Sequence, residues 1–353
     1  MSISALTGGL GWKIQSAQGV PATGAFYWHK VSRMTAQPVE LIQPFPQEIG
    51  GALLPAGMFK AGYWSQVAFE CAPRLDANIG WLFLSFTGSG QVSGAGPYTH
   101  SFIGVREQLA LSRWMTFRRL IPETDSTYFG EELQDTKVSG LTLTLDAASL
   151  AQMTIQASGL GVVPIATPSG VGWSPATDNG GVESYTGTPI TACGAITMAN
   201  GEKLLTVSSA TIDFNSGSPP PREEMVVGSY VPHDISILQR AITVRQIMFW
   251  QNADLYNEIY NGGGTAWSPI PYAPDEVYEV WVETPGNLDG LGYKGRLGFR
   301  SAPGAMVWQM RPIDLRGGNI VVCELLGTVI DVPDVNGVIW YLYLINGRAA
   351  AYA

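Results

Sequence analysis

Charge is what this chain has least of. Charged side chains make up 14% of its 353 residues, against roughly 25% in an average soluble protein. Positive charge is the scarcer sign: 20 Lys and Arg stand against 29 Asp and Glu, a formal net charge of −9. The densest basic spot is the pair Arg118-Arg119, inside the strand-like run MTFRRLI. That balance argues against a surface built to hold nucleic acid. Cysteine is nearly absent too. Cys71, Cys193 and Cys323 are odd in number and far apart, which argues against a disulfide framework or a local zinc motif and fits synthesis in a reducing compartment. Long apolar runs are missing: IGWLFLSF (79–86) and VIWYLYLI (338–345) are among the longest, whereas a membrane-spanning helix needs about 20 residues. The start, MSISALTGGLGWK, has neither a basic head nor a continuous apolar core, so no signal peptide is expected. Low charge without a membrane span points to surface covered by other copies of the chain, because interfaces are depleted in Lys, Glu and Asp.

Catalytic signals are equally thin. His29, His100 and His233 show no HxxxH or HxxE spacing, and no GxSxG elbow occurs. GLGYKG (290–295) matches GxGxxG, but it follows the turn TPGNLD and precedes the strand-like RLGFR, so it reads as a hairpin loop. DVPDVNG (331–337) resembles a calcium loop with Val332 at the first ligand position and Tyr343 where the glutamate belongs, and reads as a turn. ETDSTYFGEE gathers Glu123, Asp125, Glu131 and Glu132. Such carboxylates suit acid–base chemistry or calcium, but a solvated loop between two strands is the simpler reading. Trp64, Trp81, Trp250, Trp267, Trp281, Trp308 and Trp340 could stack sugars, yet their places inside strands and helices favour core or interface. No enzyme, metal or cofactor is expected.

Strand signals fill the rest. Gly (42) and Pro (23) punctuate short apolar runs, the pattern of sandwiches and barrels. In KVSGLTLTLDAASLAQMTIQASG (137–159), Leu141, Leu143 and Leu145 alternate with Thr142 and Thr144. After the turn, Ala151, Met153, Ile155 and Ala157 alternate with Gln152, Thr154, Gln156 and Ser158. This is a half-buried hairpin whose wet face is polar yet, apart from Asp146 in the turn, uncharged. Two short helices are expected, over 75–86 with Asp76 as cap and over 252–260 with Asn252 at its start, stopped by Gly88 and Gly262. Each follows the same order of elements. GAFYWHKV (24–31), a Pro-rich loop with Pro38, Pro44, Pro46 and Pro55, and GYWSQVAFECA (62–72) precede the first helix. LLTVSSATIDFN (204–215), a loop with Pro219, Pro220, Pro221 and Pro232, and DISILQRAITVRQIMFW (234–250) precede the second. The repeated order predicts a duplication: β-domains at 1–165 and 201–353, joined by a Gly/Pro/Ser/Thr-rich linker or surface loop at 166–200.

Three pieces in this order resemble the tail tube (major tail) proteins of long-tailed bacteriophages. They are GWKIQSAQGVPATG (11–24), the KVSGLTLTLD hairpin after FGEELQD, and the run ITMANGEKLLTVSSATIDFNSG…VPHDISILQRAITVRQIMFW…LYNEIY. The resemblance implies a mainly β fold, two tandem tail-tube-like sandwich or half-barrel domains, each with one short helix and a long Pro-rich loop. The usual family chain has one such domain and forms hexameric rings, so two domains imply trimeric, pseudo-hexameric rings stacked into a tube. The resemblance further implies a virion protein of the tail, made in the bacterial cytoplasm, without membrane contact. Its partners would be itself and other tail proteins such as tape measure, terminator and distal tail proteins, with DNA passing in transient, non-sticky contact. Thr142, Thr144, Gln152, Thr154, Gln156, Ser158, Thr211 and Asp213 would then face the lumen. Loops 36–60 and 216–234, with Pro38, Pro44, Pro46, Pro219, Pro220, Pro221, Met225, Val226 and Tyr230, would bridge rings. Another tail, baseplate or decoration protein, or a carbohydrate-binding or hydrolytic β-sandwich protein, are the alternatives.

Overall fold

The structure, a computed structural model, describes residues 8–46, 51, 54–75, 78–105, 113–124, 127–146, 149–174, 196–198, 202–203, 207–250, 253–262, 264, 266–273, 275, 277–284, 294–313 and 321–352. Its strands are β1 (Gly9–Ile14), β2 (Tyr27–His29), β3 (Arg33–Pro44), β4 (Met58–Cys71), β5 (Gly90–Ser93), β6 (Tyr98–Val105), β7 (Met115–Pro122), β8 (Tyr128–Asp146) and β9 (Gln152–Ile165). They continue with β10 (Ile196–Met198), β11 (Glu202–Lys203), β12 (Val207–Asn215), β13 (Ala241–Phe249), β14 (Tyr278–Glu283), β15 (Arg296–Ser301), β16 (Met306–Met310), β17 (Val322–Val329) and β18 (Val338–Asn346). Helix α1 (Ile79–Thr87) follows β4, and α2 (Asp254–Asn261) follows β13.

The fold is mainly β, as the alternation predicts, in an 11-stranded and a 7-stranded sheet. In the larger sheet eight strands run side by side and antiparallel in the order β3-β4-β9-β8-β12-β13-β17-β16. Strand β8 belongs to two neighbourhoods. Its first part pairs with β7, and Gly140–Asp146 pair with β12. Where the pairing with β7 shifts register, between Leu133 and Thr136, Asp135 sits at φ +48° and accepts hydrogen bonds from the Gly19 amide and the Gln15 side chain, which holds a left-handed residue in place at this irregularity. The smaller sheet has the order β11-β10-β14-β15-β18-β6-β5.

The inner faces of both sheets meet in one core that also takes up α1. Phe214 of β12 packs on Phe299 of β15 at 5.5 Å and on Trp340 of β18 at 5.8 Å between ring centroids. All nine residues of α1, IGWLFLSFT, are buried, so this helix is apolar all round rather than one-sided. It starts at Ile79, later than expected, and Asn78 at its N-cap uses its side chain elsewhere, on the Trp28 carbonyl; Asp76 and Asn252 lie outside the described residues. The stops are as expected: Gly88 and Gly262 both adopt the left-handed conformation that favours glycine.

Two expectations need correction. Within 36–60, residues 36–44 and 58–60 are strand. β3 and β4 pair from Arg33–Glu70 out to Pro44–Met58 and form an arm, and just beyond them the Phe45 amide donates to the Gly57 carbonyl. Pro38 and Pro44 fit there because β3 is an edge strand, where a missing N–H costs no ladder bond. Glu131 and Glu132 are not on a solvated loop either. They are buried in β8, where Glu132 pairs with Arg118 at 2.8 Å and Glu131 pairs with Arg119. Arg118 also donates to the Gly172 carbonyl at 3.0 Å and lies under Trp173, which fastens the end of the 166–174 segment to the sheet.

Candidate functional site

The outer face of the eight-stranded run is the one extended polar surface that the hairpin alternation foretells, and its rows can be followed strand by strand. One row reads Arg33, Glu70, Thr154, Thr142, Asp213, Thr243, Thr328, Val307, each directly opposite the next. The next reads Gln152, Thr144, Thr211, Arg245, Leu326, Gln309. Gln156 stands beside Ala68, and Ser158 beside Gln66. Residues opposite one another in a sheet share a face, so all eight residues expected on this face lie on it together. Their strand neighbours Leu141, Leu143, Leu145, Met153, Ile155, Ala157, Ile212 and Phe214 are buried on the other side.

The sequence reading missed the charges of this face, because they lie outside the hairpin. The register brings Thr142 and Asp213 together, and the Thr142 hydroxyl donates to the Asp213 carboxylate at 2.7 Å. Arg245 donates to Glu324 at 2.6 Å, and Arg311 reaches the same Glu324 oxygen at 3.2 Å. Arg33 lies 3.7 Å from Glu70. The hydrogen bond and charge of Glu324 hold the Arg245 guanidinium above its ordinary pKa. Each arginine here is therefore matched by a glutamate on an adjacent strand. Exposed pairs of this kind add little stability, but they cancel local positive potential. The alternation in WSQVAFEC (64–71) and VCELLGTV (322–329) carries the signal that would have placed Glu70 and Glu324.

At one end of the same sheet stand the segments expected to reach outward. Ile42, Phe45, Leu54, Met58 and Phe59 are exposed on the β3–β4 arm, with Phe45 and Phe59 stacked at 5.6 Å. Residues 216–234 fold back against the base of that arm. The Tyr63 amide donates to the Tyr230 carbonyl, Met225 bridges to Pro232, and the Met225 methyl lies against Gly62. Pro221 is buried in a 3-10 turn, Pro221–Glu224. Met225 is thus packed within the chain, while Val226, Val227 and Tyr230 remain exposed. Pro46 and Pro220 are exposed, and Pro219 is half-buried.

Among the described residues no three His, Cys, Asp or Glu are grouped to hold a metal ion, and no helix is long and apolar enough to cross a membrane. Compared with known families, residues 6–271 match a family model described as phage tail tube protein. No curated protein matches the chain.

Proposed function

The chain belongs to the phage tail tube protein family, a family of structural proteins of the virion tail, and from that premise we propose that it builds the tube from trimeric rings through which DNA passes. The observation that carries this reading is a repeat within the eight-stranded run. Taken from β3, the order is the strand before the arm, the strand before α1, then β9 and β8. Taken from β12, it is the strand before the second long loop, the strand before α2, then β17 and β16. The two four-stranded units stand head to tail, joined by the antiparallel β8–β12 pair. This supports a duplication with the first unit inside 1–165 and the second inside 201–353. It also supports a rule for assembly: the outer edge of β16, where Tyr272 of the same chain bridges to Trp308, meets the free edge of β3 in the next copy, with that bridge giving way, as β8 meets β12 within one copy.

Three copies closed by that rule form a barrel of about 24 strands. At about 4.8 Å per strand its circumference is about 115 Å and its diameter about 37 Å before strand tilt widens it, which leaves an open channel. The polar rows would line this channel. A wall of Thr, Gln and Ser with every arginine matched by a glutamate is wettable but offers little to a phosphate backbone, whose binding grows with each free Lys or Arg. The outer end of the β3–β4 arm, with exposed Phe45, Leu54 and Met58, and Val226, Val227 and Tyr230 would reach the neighbouring ring.

Negative-stain microscopy of the purified protein tests the reading, with hollow tubes built of three-chain rings as the expected result. Cysteines at Gln309 and at Thr35 or Gln37 should crosslink copies into closed trimers. Closed globular oligomers without a channel, or crosslinked rings of another size, overturn it.

A further inference from the structure

The outer face of the smaller sheet carries a second polar surface. Both sheets turn their other faces into the common core, so this surface lies across the molecule from the rows just described. A groove of about 520 Å³ is cut into it, lined by Glu279, Arg296, Arg300, Asp334, Tyr341 and Tyr343 together with Thr99, Ser101 and Asn336. Its floor is set by a glycine. Tyr343 stands opposite Gly298 and covers it; a Cβ on Gly298 would lie 2.2 Å from the ring. The Tyr343 hydroxyl donates to Glu279 at 2.7 Å and the Tyr341 hydroxyl to Asp334 at 2.8 Å. Burial first, and these carboxylates second, push both phenols up, so they stay protonated and the two rings are fixed before any ligand arrives.

Arg300 is the unspent group. It stands directly between Glu279 and Tyr341 on the neighbouring strands, is exposed, and makes no ion pair or hydrogen bond among the described residues. Arg296 differs, being held by Glu283 at 3.2 Å. The groove thus offers fixed aromatic rings, one free guanidinium, and hydroxyl and amide groups.

We propose that this groove binds a carboxylate-bearing saccharide. The C–H face of a sugar ring lies on Tyr343, the carboxylate takes the fork of Arg300, and Thr99, Ser101 and Asn336 exchange hydrogen bonds with sugar hydroxyls. One cation flanked by the carboxylates of Glu279 and Asp334 suits a single carboxylate and repels a polyphosphate. The proposal concerns the outer surface and stands apart from ring assembly.

Isothermal titration of the full-length protein tests it, with a glucuronate-containing trisaccharide and its neutral, carboxyl-reduced counterpart as probes. The acidic sugar is expected to bind at least tenfold more tightly. Arg300→Ala should erase that preference without lowering thermal stability, since the side chain is exposed. Tyr343→Phe, which keeps the ring, should retain most of the binding. Equal binding of the two sugars, no binding of either, or a preference that survives Arg300→Ala overturns the proposal. So does binding that is present in the unassembled chain and lost in its assembled form, since the groove would then be a contact between copies.

Discussion

The Nη2 of Arg240 donates to the carbonyl of Phe86 at 2.6 Å, across 154 positions of the chain. Its guanidinium also lies 5.2 Å from the Phe86 ring. Phe86 is in the last turn of α1, where backbone carbonyls have no partner within the helix, so a residue just ahead of β13 caps the helix of the other half. Burial brings Arg240 down to about 10, which leaves it charged at neutral pH. Arg240→Ala should lower the free energy of unfolding by about 2 kcal/mol, as expected for losing a hydrogen bond to a charged group, and Arg240→Lys by less. Denaturant titration measures this, and an unchanged midpoint would show the contact to be idle.

Glu324→Gln removes the shared partner of Arg245 and Arg311. The face is exposed, so the fold should tolerate the change within about 0.5 kcal/mol. If the face lines a DNA channel, two freed arginines per copy form closed positive belts. Assembled tubes should then retain linear duplex DNA at low salt and release it at high salt. Thr154→Lys should act the same way. Tubes that shed DNA as fast as the unmodified protein at low salt would place this face in bulk water, and failure to assemble would place it at a contact.

His29 gives the fold an acid limit. Burial pulls its imidazole down to about 4, more than the hydrogen bond to the Lys30 carbonyl raises it. Histidine in the unfolded chain titrates near 6.5. Between these values the unfolded chain takes up a proton that the folded chain refuses. The contribution of His29 is therefore complete above about pH 6.5 and is lost as pH falls toward about 4, a loss of order 3 kcal/mol. His100, also lowered by burial, adds in the same direction. His29→Phe should flatten this slope in thermal melts between neutral pH and pH 4.5; parallel curves for variant and parent would refute the assignment.

Val227 is fully exposed and Tyr230 largely so, on a loop whose neighbours Pro221 and Met225 are already packed. Exposed apolar tips of this kind mark contact sites. Val227→Asp with Tyr230→Asp should leave melting unchanged and stop tubes from growing long under the microscope. Long tubes from this variant would remove the loop from ring stacking.

Much of this was legible in the sequence. The alternation of leucines and threonines over 141–145, and of Met153 and Ile155 with Gln152 and Thr154, determined the hairpin and its wet face, because side-chain direction in a strand repeats every two residues and needs no distant partner. The glycine stops at Gly88 and Gly262 were equally local. Only the tertiary structure decided which strands stand side by side. That β12 pairs with β8, so that Asp213 meets Thr142, or that β6 of the first half pairs with β18 near the end, depends on long-range closure that no local pattern encodes. The same holds for Glu131 and Glu132, which read as a solvated acidic loop until Arg118 and Arg119 stood opposite them, and for Pro38, which reads as loop unless its strand is known to lie at an edge. Local periodicity sets what each strand buries; the neighbour it pairs with is set by the packing of the whole core, and the charge on the wet face could be read only once the neighbours were known.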